Sequence, residues 1–371
     1  MNGFASDSVT VRLRLVTPAF LGGADQSAEL RSAPFKALLR QYWRIANAKA
    51  IQYDHETLRQ QEGILFGHAW LKTSSGGGMS ADKPWHMKSP IVVAVQPVNG
   101  KICLFDSWPK DPKIPHPEVN FPIGAHLYLG YGPLDYDKAA KRTVLKNNRK
   151  ALADNSEFKV RISGRKMSEL RSSLGAILAL WHWIGCIGGR SRNGWGSIEI
   201  LDVRGMNFSQ AGPAQDLASV AGEYDICLQR AWPHSVGTDS KGLLCWRTKD
   251  SYSSWKEAME NLAQIKVHLR TSFKFPQGQA KKFSDRHFLA YPVTNHSVAE
   301  WSSETRLANQ LRLKVLKSGS DYLGALFHVP AGLPPFMAQK LKDPNIELRK
   351  KEREVWQKVH EILDREAVRW K

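Results

Sequence analysis

The sequence predicts an α+β protein built as two ferredoxin-like domains in tandem, joined by a short polar linker. Three observations lead there. The first half orders its elements as strand, helix, hairpin, strand, helix, strand, which suits a ferredoxin-like fold. A run of small and polar residues, 205–222, separates it from a second half with a similar order but no clear final strand. The chain has 371 residues, too long for one ordinary core and suited to two. The boundaries follow: 1–206 for the first domain, 207–222 for the linker and 223–371 for a second ferredoxin-like domain ending in a long helix.

Residues 8–16, SVTVRLRLV, alternate, with Val9, Val11, Leu13 and Leu15 on one face and Thr10, Arg12 and Arg14 on the other, the pattern of a half-buried strand. A helix over 33–46 follows from Ser32 as N-cap and Pro34 in the first turn. Its stripe is Phe35, Leu38, Leu39, Tyr42 and Ala46. The run SSGGGMS at 74–80 reads as a flexible loop. Ile91–Val98 and Lys101–Phe105 flank Asn99-Gly100, a hairpin signal. Residues 107–122 are too rich in proline for regular structure. A basic helix is expected over about 135–153 and a strand over 156–163. Residues 167–184 give the clearest helix, with Leu170, Leu174, Ile177, Leu178, Trp181 and Ile184 in one stripe. A glycine-rich run leads into a strand at 197–203. In the second half, strands are expected at 223–230 and 286–294, a helix over 253–270, and a hairpin over 310–329 turning at Ser318-Gly319-Ser320. A last helix should start with Asp343 as N-cap and Pro344 at the first position and run to the C-terminus.

Composition bounds the function. Lys plus Arg number 53 against 35 Asp plus Glu, a formal net charge of +18. Such an excess points to a polyanionic partner, nucleic acid before a membrane surface. Cys103, Cys186, Cys227 and Cys245 form no C-x-x-C pair and no zinc spacing with His, so they read as reduced thiols. No apolar run is long enough for a transmembrane span and the N-terminus lacks the features of a signal peptide, so a cytoplasmic location is expected.

Two constellations carry candidate chemistry. On the first helix Lys36, Arg40 and Arg44 recur at i, i+4 and i+8, flanked by Arg31 and Trp43. Like charges four apart destabilise a helix by roughly 0.2–0.5 kcal/mol per pair. Phosphates would offset that, and Trp43 would stack on a base or sugar. The alternative is a solvated helix face with Trp43 in the core. The second constellation is Gly185-Cys186-Ile187-Gly188-Gly189-Arg190-Ser191-Arg192-Asn193-Gly194-Trp195-Gly196. Its glycines permit positive φ and close backbone approach to a ligand, its N–H groups an anion nest, and Arg190, Arg192 and Trp195 phosphate and stacking contacts. The order helix, loop, strand and the absence of G-K-[ST] exclude a nucleotide P-loop. No paired carboxylates with metal spacing, no H-E-x-x-H and no nucleophilic triad can be read, so no catalytic residue, no metal and no cofactor are assigned. His287, His68 and His182 are the candidates for acid–base work, and a lone histidine is more often structural.

The helix, the G-G-R-S-R-N-G-W-G-S loop and the strand together resemble the signature of the RAMP superfamily of CRISPR proteins. The stretch VRLRLVTPAFLGGADQSAELRSAPFKALLRQYWR, with EGILFGHAW after the helix, resembles more specifically the first subunit of the Cmr (type III-B) complex. The matching positions are Gly22, Gly23, Arg31, Lys36, Arg40, Arg44, Phe66, Gly67 and Gly188 through Gly196. The resemblance implies ferredoxin-like domains akin to RNA-recognition modules. It also implies CRISPR guide RNA, target RNA and other Cmr subunits as partners, a place toward the guide's 3′ end and no nuclease role. The RNA-binding residues so expected are Arg31, Lys36, Arg40, Trp43, Arg44, Gly188, Gly189, Arg190, Ser191, Arg192, Asn193, Gly194 and Trp195. Two other readings stand beside it: a metal-independent, guide-processing endoribonuclease using a histidine base, and a basic scaffold for acidic proteins.

Overall fold

The computed structural model describes residues 8–23, 27–70, 85–100, 102–105, 107–276, 281–341 and 345–370. The glycine loop expected at 74–80 and the expected cap of the last helix, Asp343 and Pro344, lie outside them.

The protein is mixed α+β with antiparallel four-stranded sheets. In the first half the elements are β1 (Ser8–Leu15), α1 (Ser32–Ala48), β2 (Ile91–Pro97), β3 (Glu157–Gly164), α2 (Met167–Trp183) and β4 (Ile198–Arg204). The sheet runs β4-β1-β3-β2. β1 holds the centre, with Arg14 opposite Glu157 on one side and Glu199 on the other. Its predicted alternation is present, with Val9, Val11, Leu13 and Leu15 buried beneath α1 and α2. Its second face is open, and there Arg12 pairs with Glu157 at 2.5 Å and Arg14 with Glu199 at 2.6 Å. α1 begins one residue earlier than its predicted start; Arg31 occupies the cap position and makes no side-chain capping bond.

The second half repeats the order. β5 (Cys245–Arg247), α3 (Trp255–Thr271), β6 (Leu311–Ser318), β7 (Asp321–His328), α4 (Asn345–Glu366) and β8 (Val368–Arg369) form a sheet ordered β6-β7-β5-β8. The predicted helix and hairpin are found. A final strand, which the sequence does not announce, is present: Arg369 lies opposite Trp246 and closes the sheet edge after α4 stops at Glu366.

Four sequence expectations are corrected. The Asn99-Gly100 turn does not return as a hairpin. β2 pairs instead with β3 from Phe158↔Pro97 to Gly164↔Ile91, a longer ladder than the two-residue strand Leu104–Phe105 offers. Residues 135–153 do not form the expected helix and, of helical structure, hold only a short 3-10 turn, Lys146–Asn148. Leu134–Asp137 pairs with Arg142–Leu145, and the Asp137 carboxylate accepts from Ala139 and Ala140 N–H to turn the chain between them. The expected strand 223–230 contains a single helical turn, Tyr224–Cys227, because Cys227 and Leu228 are buried side by side while Ile226 stays exposed. The expected strand 286–294 opens as a helical turn, Arg286–Leu289, enclosed on all sides.

The segment 207–222 is packed. Leu217 and Val220 are buried and Asp216 accepts from Trp183 Nε1 at 2.8 Å. A second core joins the halves: Trp195, Val16 and Leu129 from the first pack with Trp255, Met259 and Leu313 from the second.

Candidate nucleic-acid interface

The glycine-rich run ends α2 and turns into β4 along the seam between the halves. Gly188, Gly194 and Gly196 take φ of +88°, +89° and +66°. At Gly196 an added Cβ would lie 2.0 Å from Ile187 O, so the glycine is required by close approach of the loop to itself. The loop is tied to β1's exit: Gly189 N–H donates to Phe20 O at 2.9 Å, and Gly196 N–H to Pro18 O at 2.8 Å. It is also tied to β6. Leu313 N–H donates to Arg192 O at 3.0 Å, and Ser197 Oγ accepts from Val315 N–H at 3.0 Å. Lys314, fully buried, sends Nζ to Trp181 O (3.0 Å) and Gly185 O (2.8 Å) at the C-terminal end of α2, where unpaired carbonyls favour a cation.

These bonds sort the loop residues. The N–H groups of Gly189, Asn193, Gly194 and Gly196 are taken up inside the protein. Those of Arg190, Ser191 and Arg192 have no partner among the described residues. Trp195 is fully buried in an aromatic cluster with Phe20, Trp108, His126 and Trp255, so no ring face is open for a base. Asn193 donates to Leu129 O at 2.8 Å and accepts from Lys266 Nζ at 2.7 Å. The anticipated stacking by Trp195 is corrected to a packing role, and Asn193 is engaged as a bracket.

The face of α1 is different from its expected state as well. Trp43 is buried edge-on against Phe66, so it does not stack on a base. Arg40 and Arg44 converge on the carboxylate of Glu62 from the helix His55–Phe66, at 2.7 and 2.5 Å. Glu62 is nearly enclosed; burial alone would raise its pKa, but the hydrogen bonds and charge of Arg44 and Arg40 outweigh this and hold it below the usual carboxylate range. The like-charge row on α1 is thus offset within the protein. Lys36 is half-buried, its pKa lowered by burial and by Arg40, and Arg31 is exposed.

A large open groove of about 1570 Å³ runs along the seam. One wall carries Arg190, Ser191, Arg192 and Asn193. The other carries Lys266 and Arg270 of α3, Lys274 just beyond it, and Arg286 and Arg306. A third side comes from the segment between β2 and β3, with His116, Tyr128 and Tyr131. Glu118 is the one carboxylate among the described lining residues, and it is bound by both terminal guanidinium nitrogens of Arg286. Lys266 is buried at the groove floor. Burial, then Arg270 and Arg190, push its ammonium down to about 7. Arg192 is lowered by burial, and Arg312 behind it falls to about 10 through burial and Arg192. Neither has a carboxylate partner among the described residues.

Sequence reasoning placed Arg190 and Arg192 in one site, and both line the groove. It placed Arg31, Lys36, Arg40 and Arg44 together on α1, and these lie on another surface. It missed the α3 side, although Lys266, Arg270 and Lys274 repeat the i, i+4, i+8 spacing noted on α1. Two of the three candidate histidines, His287 and His182, are held in the interior. His287 is fully buried, its Nδ1 facing Ser284 N at 3.0 Å and its Nε2 facing His296 O at 3.2 Å, and burial lowers its pKa. His182 is driven down to about 3, by burial first and then by Lys314. Among the described residues no group of three or more His, Cys, Asp or Glu side chains could hold a metal, and no helix is long and apolar enough to cross a membrane.

The model of the RAMP superfamily matches residues 12–199. No curated protein matches the chain. Among solved structures it is similar to the apo crystal structure of Cmr1 from Pyrococcus furiosus, at 15% identity over 88% of this chain and 89% of that one, with a TM-score of 0.43. It is similar to a chain of the cryo-EM structure of type III-B Cmr-beta bound to cognate target RNA, at 11% identity over 87% and 94%, TM-score 0.45. A chain of the Cmr-beta structure bound to cognate target RNA and AMPPnP, state 2, in the presence of ssDNA, is similar at 11% identity over 95% and 99%, TM-score 0.43.

Proposed function

Because the chain belongs to the RAMP superfamily, we propose that it is a non-catalytic RNA-binding subunit of a type III-B CRISPR effector complex. In that reading it consists of two ferredoxin-like domains, 1–206 and 223–371, joined by 207–222. It works in the cytoplasm beside other Cmr subunits, touches the 3′ part of the guide RNA and helps capture target RNA. The motif resemblance of the first 200 residues supports the assignment to that complex.

The observation that carries the RNA reading is the groove. Cations from both halves face one space, and the single lining carboxylate among the described residues is already held by Arg286. Such a surface takes a phosphate backbone without reading sequence. Arg190 and Arg192 supply charge from the glycine-rich loop, and the N–H groups of residues 190–192 supply donors. Gly188, Gly189 and Gly194 shape the loop. Arg31, Lys36, Arg40 and Arg44 form a second, weaker surface, because Glu62 already offsets two of them.

The test is binding of labelled single-stranded guide RNA by wild type, by Arg190→Ala/Lys274→Ala and by Arg40→Ala/Arg44→Ala. The groove pair should weaken binding about thirtyfold, taking each of the two lost phosphate contacts at roughly 1 kcal/mol. The helix pair should cost much less. Equal loss from both pairs, or loss from the helix pair alone, overturns the groove assignment.

A further inference from the structure

The two tryptophans that the sequence offers for stacking are both buried, so an aromatic surface for an unpaired base must come from elsewhere. Tyr131 is 63% exposed and lines the groove. Its ring has no aromatic or cationic partner and its hydroxyl no hydrogen bond among the described residues. It follows directly on the short helix Ala125–Gly130. The next residue, Gly132, has φ +112°, and an added Cβ there would meet Arg190 Nη2 at 3.3 Å. The Arg190 guanidinium therefore lies against the backbone of Gly132, one Cα step of about 3.8 Å from Tyr131. Arg190 itself takes φ +57°, the left-handed region that non-glycine residues rarely adopt. It has no ion pair among the described residues.

The placement is rigid. An added Cβ on Gly130 would meet Trp195 Nε1 at 3.1 Å, so the helix end sits directly on the buried tryptophan. Asn193 donates to Leu129 O and is itself braced by Lys266. Loop residues that the sequence suggests as RNA contacts thus fix Tyr131 beside Arg190. An exposed tyrosine one residue from the glycine against which an unpaired guanidinium lies, with free N–H groups at 190–192 on that guanidinium's own loop, matches one nucleotide of a single strand. The phosphate meets the cation and N–H groups and the base lies on the ring.

Resting on the RNA-binding reading above, we propose that Tyr131 and Arg190 form a single-nucleotide subsite in which Tyr131 stacks an unpaired base, so that the groove takes an unpaired strand in preference to a duplex. Base stacking on an aromatic side chain is worth roughly a fivefold to hundredfold change in affinity by alanine substitution and is tolerant of base identity.

The experiment uses the full chain and short single-stranded RNA carrying a fluorescent adenine analogue, beside the same RNA with abasic sites and a duplex of the same length. Tyr131→Ala should weaken binding of the intact single strand by that factor and leave the log–log salt slope unchanged, since no charge is lost. Tyr131→Phe should bind as wild type. Tyr131→Ala and wild type should bind abasic RNA and duplex alike. If Tyr131→Ala binds the intact strand as tightly as wild type while both keep a steep salt slope, the subsite is overturned and the groove reading stands. The same holds if Tyr131→Phe loses as much as Tyr131→Ala. If wild type shows no salt-dependent RNA binding, the groove reading fails and this subsite with it.

Discussion

Lys266 is the residue whose chemistry ties the groove to pH. Its ammonium sits on the floor among Arg190, Arg270, Tyr128 and the Asn193 carbonyl, and burial holds it near pKa 7. The folded pKa lies below the ordinary lysine value, so between about pH 7 and 10.5 the unfolded chain binds more protons and this group makes the fold more stable as pH rises. A phosphate in the groove works the other way, favouring the charged form. RNA binding then takes up a proton above pH 7, and affinity falls as pH rises, by at most about tenfold per pH unit for one site. Two histidines, His116 and His296, also line the groove, and burial lowers the pKa of His116. Measured between about pH 7 and 8.5, the RNA dissociation constant of wild type should rise, and that of Lys266→Met should stay flatter. Matching pH profiles would remove Lys266 from the contact set.

At the scale of elements, the glycine-rich turn is the part on which the rest depends. It holds β1, β6 and the helix Ala125–Gly130 in register through backbone bonds. Gly196→Ala would force a Cβ to within 2.0 Å of Ile187 O at φ +66°, so it should cost at least 1–3 kcal/mol of stability, on the order found for strained backbone. Thermal unfolding checks this, and Gly242→Ala is the control, since its φ is also positive but nothing lies within 4 Å of its added Cβ. A loss at Gly196 no larger than at Gly242 would show the turn to be slack. The elements differ in how readable they are. β1 and α1 each bury one face against a thick core, and their periods of 2 and 3.6 stand out in the chain, while α2 is buried all round in its second half and shows as a long apolar helix. Cys245–Arg247 and Val368–Arg369 are too short to show a period, so the second sheet's centre and edge are invisible locally. The run 223–230 looks alternating, but the fold buries Cys227 beside Leu228. Asp54, whose carboxylate accepts from Glu56 and Thr57 N–H, announces the helix His55–Phe66 and so could have led to Glu62.

For the whole molecule, a net charge of +18 is not spread evenly. On the open face of the first sheet and on α1, Arg12, Arg14, Arg40 and Arg44 are matched by Glu157, Glu199 and Glu62. Along the seam, Arg190, Arg192, Lys266, Arg270 and Lys274 have no carboxylate partner among the described residues. The charge excess was legible from composition, and the loop arginines from their motif. The groove was not, because it joins residues near 116–131, 190–193 and 266–306 that no local pattern links. Only the packing of the two sheets through Trp195 brings them together. The central claim is that this seam binds a phosphate backbone. The most direct measurement is the affinity of the full chain for single-stranded RNA across a series of salt concentrations. About five phosphate contacts predict a log–log slope of roughly −3.5, falling in magnitude by about 0.7 for each groove cation removed. A slope near zero, or one unchanged in Arg190→Ala/Lys274→Ala, would contradict it.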